Sequence, residues 1–264
     1  MAGKQRRQKS MRENPAAKVI LVVFAVFMLF SLVIYANDVI FKFDFIPSAD
    51  DIISWLNGKS NAVTVADGEI AVHFIDVEQG DCELIVSGDK TVLIDCGEKI
   101  HSERVKNYLK NQGIRKLDYI IATHPHEDHI GGMADVLNTF NIKNFYATSF
   151  TTTTQTYERM LDAVENSGAE VHEVMAGSVI LDEPELLIEV VAPKTLSDDS
   201  NNSSVVIKLT YGENKFLFTG DAEKSEEDDI WTNIKCDVLK VGHHGSATSS
   251  SANFLKKVDP TYAV

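Results

Sequence analysis

The chain has 264 residues, 44% of them apolar and 24% charged, a composition that supports one sizeable buried core and excludes a disordered protein. Its 39 acidic residues against 25 basic ones give a formal charge of −14, which excludes polyanion binding through a general positive field. Cys82, Cys96 and Cys236 are odd in number, two of them lie in apolar strand-like runs, and no Cys-x-x-Cys pair is present, so buried thiols are expected rather than a disulfide framework.

In chain order, a basic tail (residues 1–18) comes first, with Lys4, Arg6, Arg7, Lys9, Arg12 and Lys18 set against one acid, Glu13. An uncharged stretch follows from Val19 to Ala36. At about 1.5 Å per residue a helix of this length reaches roughly 27 Å, close to the hydrocarbon thickness of a bilayer. A cleaved signal peptide has an apolar region of only about 7–15 residues, and bulky Ile34 stands where a cleavage site before Asn37 needs a small side chain. An uncleaved, single-pass transmembrane signal anchor is therefore favoured, and apolar residues all round argue against a buried core helix. The cationic flank keeps the amino terminus in the cytoplasm. The remaining chain, with 19 basic and 38 acidic residues, is expected to be extracellular at the cell membrane and strongly acidic.

Residues 37–68 read as a connector in which Ser48 caps a short amphipathic helix, Ala49 to Leu56, ended by Asn57-Gly58. From Glu69 the texture changes to β-branched runs, Ile70–Val77, Cys82–Ser87 and Lys90–Asp95, which predict a three-stranded meander. Helical spacing covers His101 to Gln112 and stops at Gly113, and a buried strand is predicted over Leu117 to Ala122. A helix through Val136 and Leu137 to Phe140, a strand Asn144–Thr148 and a helix Gln155–Asn166 complete a second β-α unit. Further strands are expected at Val171–Val174, Ser178–Leu181, Leu186–Ala192, Ser204–Thr210, Lys215–Thr219 and Asp237–Val241, with an acidic helix near Ala222–Ile230. Strand meanders interrupted by helices in two successive halves fit an α/β sandwich with helices outside two facing sheets.

Directly after the strand ending at Ala122 comes Thr123-His124-Pro125-His126-Glu127-Asp128-His129-Ile130-Gly131-Gly132, three imidazoles and a carboxylate in six positions. One such histidine is readily a polar turn residue. Four ligand-type side chains together point to a site for zinc or a neighbouring cation. Asp95 and Asp221 each close an apolar strand, and His243-His244 follow a third. Singly these are ordinary turn residues, and together with the histidine run they describe one site. His73, His101 and His172 read as structural or surface histidines.

The His-x-His-x-Asp-His run, followed by Asp221 and the His-His pair, resembles the metallo-β-lactamase superfamily over residues 70–264. More narrowly, Asp76-Val77-Glu78-Gln79-Gly80-Asp81-Cys82, Ser200-Asn201-Asn202-Ser203-Ser204 and Gly242-His243-His244-Gly245-Ser246 resemble the extracellular hydrolase domain of ComEC-type competence proteins and their free-standing relatives. The resemblance implies a metallo-β-lactamase αββα sandwich of two mixed sheets over residues 69–264, with two divalent ions, Zn²⁺ or Mn²⁺. It implies His124 and His126 on one ion, Asp128, His129 and one of His243/His244 on the other, Asp221 bridging, and Asp95 orienting a ligand imidazole from behind. Of the final pair, His244 is favoured as ligand and His243 as the residue facing substrate.

Three departures from the family stand out. Many relatives carry a third histidine near Asn201-Asn202, so here the first ion is expected to be loosely held unless Asn201, Asn202 or water completes its shell. Glu78 occupies a position where relatives commonly have Gly, and is expected to crowd the rim of the site. The chain ends at Tyr262-Ala263-Val264, in what reads as a strand, before a Gly-His-Pro segment that relatives carry, so the carboxyl-terminal edge is expected to be incomplete.

The expected function is a membrane-anchored, extracellular phosphodiesterase using water activated by two metals, with Asp128 and His243 as catalytic residues. Its substrate is expected to be DNA or a cell-wall phosphodiester of teichoic-acid type, and its setting a competence, DNA-uptake or cell-envelope machinery. Two alternatives stay open. One is a non-catalytic metal-bearing ectodomain that docks DNA or a partner in an uptake apparatus; the other is a lactam or thioester hydrolase.

Overall fold

The computed structural model describes residues 15–36, 65, 66 and 68–264. The chain divides into two compact units, Met1–Ser60 and Asn61–Val264. In the first, helix α1 (Pro15–Ala36) is free of glycine and has proline only at its first position, where the missing N–H costs nothing. Its described side chains include the exposed Val22, Phe24, Phe27, Phe30 and Tyr35. Among the described residues, no helix is long and apolar enough to cross a membrane. The basic tail before Pro15 and the expected connector helix at Ala49–Leu56 lie outside the described residues.

The second unit is built on two six-stranded sheets whose strand order follows the chain. In the first sheet β1 (Ile70–Phe74), β2 (Glu83–Ser87) and β3 (Lys90–Ile94) form the antiparallel meander, and β4 (Lys116–Ile121), β5 (Asn141–Ala147) and β6 (Glu170–Glu173) continue it in parallel. The second sheet holds β7 (Val179–Asp182), β8 (Leu186–Ala192), β9 (Val206–Tyr211) and β10 (Asn214–Phe218) antiparallel. It ends with β11 (Val238–Lys240) and β12 (Tyr262–Ala263) parallel.

Because side chains alternate along a strand, each sheet serves two apolar layers. Ile85, Val92, Ile94 and Ile121 of the first sheet meet Ile188, Val190, Ile207, Leu209 and Phe218 of the second. On the outer face of the first sheet, Leu84, Leu93, Leu117 and Ile120 pack with α2 (Ser102–Asn111), α4 (Met133–Leu137) and α5 (Gln155–Ser167) through Val105, Leu109, Val136 and Met160. On the outer face of the second, Val206, Leu217 and Leu239 pack with Phe254 and Val258 of α7 (Ala252–Val258). The result is the expected αββα sandwich.

Three helices differ from the expectation. The helix expected through Val136 and Leu137 to Phe140 is α4, which ends at Leu137, and a further short helix, α3 (Glu127–Ile130), precedes it, separated by Gly131 and Gly132, which pack flush against neighbouring backbone. A Cβ on Gly131 would stand 2.4 Å from Lys99 N, and one on Gly132 would stand 2.5 Å from Cys96 O. Helix α7, capped by Ser251 accepting from Phe254 N, was not foreseen. The acidic helix near residue 226 is shorter than expected, α6 (Lys224–Asp229). All three cysteines are buried free thiols, as expected.

Candidate metal centre

Loops at one end of the strands carry every side chain of the centre. The β1–β2 loop holds Asp81 and the end of β3 holds Asp95. The end of β4 holds His124 to His129, the β8–β9 loop holds Ser200 to Ser204, and the ends of β10 and β11 hold Asp221 and His243-His244. Two groups of donor atoms gather there, each within 4.8 Å: His124, His126 and Asp221 in one, and Asp81, His129, Asp221 and His244 in the other. Asp221, 1% exposed, belongs to both.

The orientation of each imidazole follows from the group behind it. Asp95 is fully buried and accepts from three donors: Thr123 N at 2.9 Å, Thr123 Oγ1 at 2.6 Å and His129 Nδ1 at 2.7 Å. With its Nδ1 engaged by Asp95, His129 points Nε2 toward Asp221 Oδ1 at 3.1 Å, Asp128 Oδ2 at 3.9 Å and His244 Nε2 at 3.3 Å. Thr123 Oγ1 has given its own proton to Asp95, so at 3.1 Å it accepts from His124 Nδ1. His124 Nε2 is thereby left as a bare acceptor, buried and without a hydrogen-bond partner, 3.6 Å from Asp221 Oδ2. Asp221 Oδ1 is likewise buried and unpartnered.

His244 has a carboxylate at each ring nitrogen. Nε2 lies 3.0 Å from Asp128 Oδ2, and Nδ1 lies 3.3 Å from Asp81 Oδ1, which is itself 2.6 Å from Nζ of the largely buried Lys240. Asp81 thus stands behind His244 as Asp95 stands behind His129, and Asp128 faces the donor cluster. Sequence reading assigned no role to Asp81, Thr123 or Lys240. The linear signal for Asp81 was the Asp-Val-Glu-Gln-Gly-Asp segment and that for Thr123 its place at the head of the histidine run.

The charges agree with a cation site. Burial, followed by the neighbouring imidazoles, holds His124 well below the ordinary imidazole pKa, so it is neutral and ready to donate a lone pair. Burial also opposes charge on His129, but Asp95 and Asp221 override it and raise its pKa well above the usual value. Hydrogen bonds to Asp128 and Asp81 push His244 up to about 9, and the His244 contact draws Asp128 down to about 2. Such carboxylates hold protons on these rings when no metal is there, and a divalent ion satisfies the same field in their place. Buried lone pairs on His124 and Asp221, aimed into an N/O donor set, fit zinc or manganese.

The remaining expected residues are placed as follows. His243 Nδ1 is 3.2 Å from Glu223 Oε1 and its Nε2 is 3.8 Å from Asp221 Oδ2, on the more open side of the pair. His126 Nε2 meets Ser200 Oγ at 2.7 Å. Asn202 does not turn toward the imidazoles: its Oδ1 accepts from Ser225 Oγ at 2.6 Å and Glu226 N at 3.3 Å, capping α6. Asn201 is buried with Oδ1 unpartnered. Glu78 adopts φ +61°, a conformation natural to glycine, and reaches sideways to Arg104 Nη1 at 3.6 Å. Asp95, His243 and His244 also have positive φ, so backbone strain collects around the site. His73 bonds Tyr108 and His172 bonds Asn144, both in structural roles.

Residues 75–264 match the metallo-beta-lactamase superfamily. The chain is 34% identical over 215 residues to ComE operon protein 3 of Bacillus subtilis (strain 168), covering 73% of this chain and 28% of that protein. It is 32% identical over 200 residues to Recombination protein 2 of Haemophilus influenzae, covering 73% and 24%, and 29% identical over 210 residues to competence protein ComA of Neisseria gonorrhoeae, covering 76% and 27%. It therefore spans about a quarter of the length of these relatives. The solved metallo-beta-lactamase fold protein YhfI from Bacillus subtilis superposes with TM-score 0.51 at 16% identity, over 74% of this chain and 84% of that one, a likeness of fold. The double-layered sandwich, the shared Asp221 and a family match running from Ile75 to the last residue together show that the chain belongs to the metallo-β-lactamase superfamily, with ComEC-type competence proteins among its relatives.

Proposed function

We propose that the chain is a metal-dependent phosphodiesterase, held at the membrane through its amino-terminal region and working outside the cell. The observation that carries this reading is Asp221, whose two carboxylate oxygens face different donor clusters, Oδ1 toward His129 and His244 and Oδ2 toward His124. His124, His126 and Asp221 would hold one ion, and Asp128, His129, His244 and Asp221 the other. Such a pair supplies Lewis acidity and a water that is nucleophilic at neutral pH. Asp95 and Asp81 fix the rings that hold it. His243, partly exposed and backed by Glu223, is positioned to pass a proton to a departing oxygen.

An anionic phosphodiester suits a centre that concentrates positive charge in an otherwise acidic body. The competence and recombination proteins among the relatives favour DNA over a cell-wall phosphodiester, in an uptake machinery. The exposed apolar side chains of α1 and the cationic residues before it support attachment to a membrane.

The test uses the full chain in detergent with Mn²⁺ or Zn²⁺, assayed on bis-aryl phosphates, single-stranded DNA, phosphorylcholine esters, a β-lactam and a thioester. Phosphodiester turnover that Asp128→Ala abolishes is expected. Turnover of the lactam or thioester alone, or of nothing, overturns the reading.

A further inference from the structure

Under α5, at the carboxyl ends of the parallel strands β4, β5 and β6, lies a cavity of about 210 Å³. One wall is Thr123, His124 and Pro125, so the cavity shares His124 with the donor cluster of His126 and Asp221. Its apolar lining runs from the core to the surface: Ile130, Phe145 and Met160 are buried, Phe150 and Tyr157 are half-buried, and Leu161 and Val171 are 45% and 62% exposed. Thr148, Ser149 and Glu173, none of them buried, add polar groups, while His172 is engaged by Asn144. Two contacts set this shape in advance. Tyr157 Oη donates to Phe150 O at 3.3 Å, tying the β5–α5 loop to its helix, and Thr156 Oγ1 donates to Glu127 of α3, tying that helix to the histidine run.

Building on the phosphodiesterase reading above, we propose that this cavity receives one nucleobase of the DNA strand, that of a nucleotide directly flanking the phosphodiester at the metals. The shared wall links the two sites: a phosphate held beside His124 leaves its neighbouring nucleotide within reach of Thr123 and Pro125. The lining then selects the occupant. A base has apolar faces for Phe145, Phe150 and Tyr157 and a polar edge for Thr148, Ser149 and Glu173. The glycerol or ribitol units of a teichoic-acid chain carry only hydroxyls and would leave the rings unmatched. A second phosphate would meet apolar walls and Glu173, whereas a neutral base escapes that repulsion. In a stacked duplex the faces of a base are covered, so the occupant comes from a single strand or a flipped nucleotide.

The test is equilibrium binding by the full-length protein in detergent, loaded with Mn²⁺. Thymidine 5′-monophosphate and 3′-monophosphate are compared with the corresponding deoxyribose phosphates. Each pair differs only in the base, so the contribution of the metals cancels. Stacking on aromatic side chains makes the nucleotide at least about fivefold tighter than its baseless partner for one of the two isomers. Phe150→Ala, which removes a ring, and Leu161→Trp, which fills the mouth, should each abolish that advantage. An advantage below about fivefold for both isomers overturns the proposal, as does one that survives in both variants. If the base advantage holds and the loaded chain cleaves no phosphodiester, the hydrolase reading falls and the base pocket stands; if DNA is cleaved and the base adds nothing, only the pocket assignment falls.

Discussion

Nδ1 of His129 lies 2.7 Å from Oδ2 of Asp95, and neither side chain has any solvent exposure. The same carboxylate oxygen takes the Thr123 hydroxyl, which receives His124 Nδ1. A single buried carboxylate therefore fixes the tautomer of one imidazole in each donor cluster, and the two metal positions share more than the bridging Asp221.

Asp95→Asn tests that sharing. Asparagine keeps the size and tolerates the left-handed φ of +51°. It offers one acceptor oxygen and an amide that must face a donor, so a ring loses its orienting partner. Metal affinity is expected to fall roughly 10–100-fold, at both positions in a calorimetric titration. A loss confined to one position would contradict the shared role.

Lys240 is predicted to hold the opposite side of the centre. Its Nζ is 2.6 Å from Asp81 Oδ1, with side chains 13% and 3% exposed. Burial opposes the lysine charge, but Asp81 and Glu83 raise its pKa. Lys240→Met leaves a buried carboxylate without its cation, a change that typically costs about 3–5 kcal/mol. The double variant Lys240→Met/Asp81→Asn should cost less than the two single losses combined, read from urea unfolding midpoints. Strict additivity would show that the two residues do not act as a pair.

Gly80 is the third point of leverage. Its φ is +113°, and a Cβ there would stand 2.0 Å from the carbonyl oxygen of Asp128, which also accepts from Asp81 N. The glycine lets the Asp81 loop lie against the histidine loop. Gly80→Ala is expected to cost roughly 2–4 kcal/mol through strain and overpacking, measured by denaturant unfolding, and to weaken metal uptake. Wild-type stability in this variant would mean the two loops separate freely.

What could be read from the chain and what could not divide along a physical line. The His124–His129 run is legible because its ligand types are contiguous, and the strands because their apolar residues alternate or run together. The αββα layering follows from those strands. Asp81 and Lys240 received no role because each acquires it from a residue far along the chain, Asp81 Oδ1 lying 3.3 Å from His244 Nδ1 and 2.6 Å from Lys240 Nζ. Asn202 misled for the same reason: beside the site in sequence, it is drawn off by the free N–H groups at the start of α6. Short α7 was missed because its Phe254 and Val258 read equally as strand or helix until the outer face of the second sheet is there to receive them.

Glu226 at the first turn of α6 predicts how stability depends on pH. It is 5% exposed, and burial, with Asp199, Asp229 and Glu227 adding to it against the Ser204 N–H, raises its pKa well above the ordinary value of 4.5. A carboxyl whose folded pKa exceeds its unfolded one binds its proton more tightly in the native state. Its contribution is thus complete below the unfolded pKa and lost as pH rises through the folded one. Glu226→Gln keeps the shape and cannot ionise. In urea unfolding of the full chain, the variant should match wild type at pH 4.5 and exceed it at pH 8, because only wild type has to ionise or retain a proton in a buried acidic setting. A difference between the two proteins that stays constant across this range would show that Glu226 titrates normally and that the acids around it are screened by solvent.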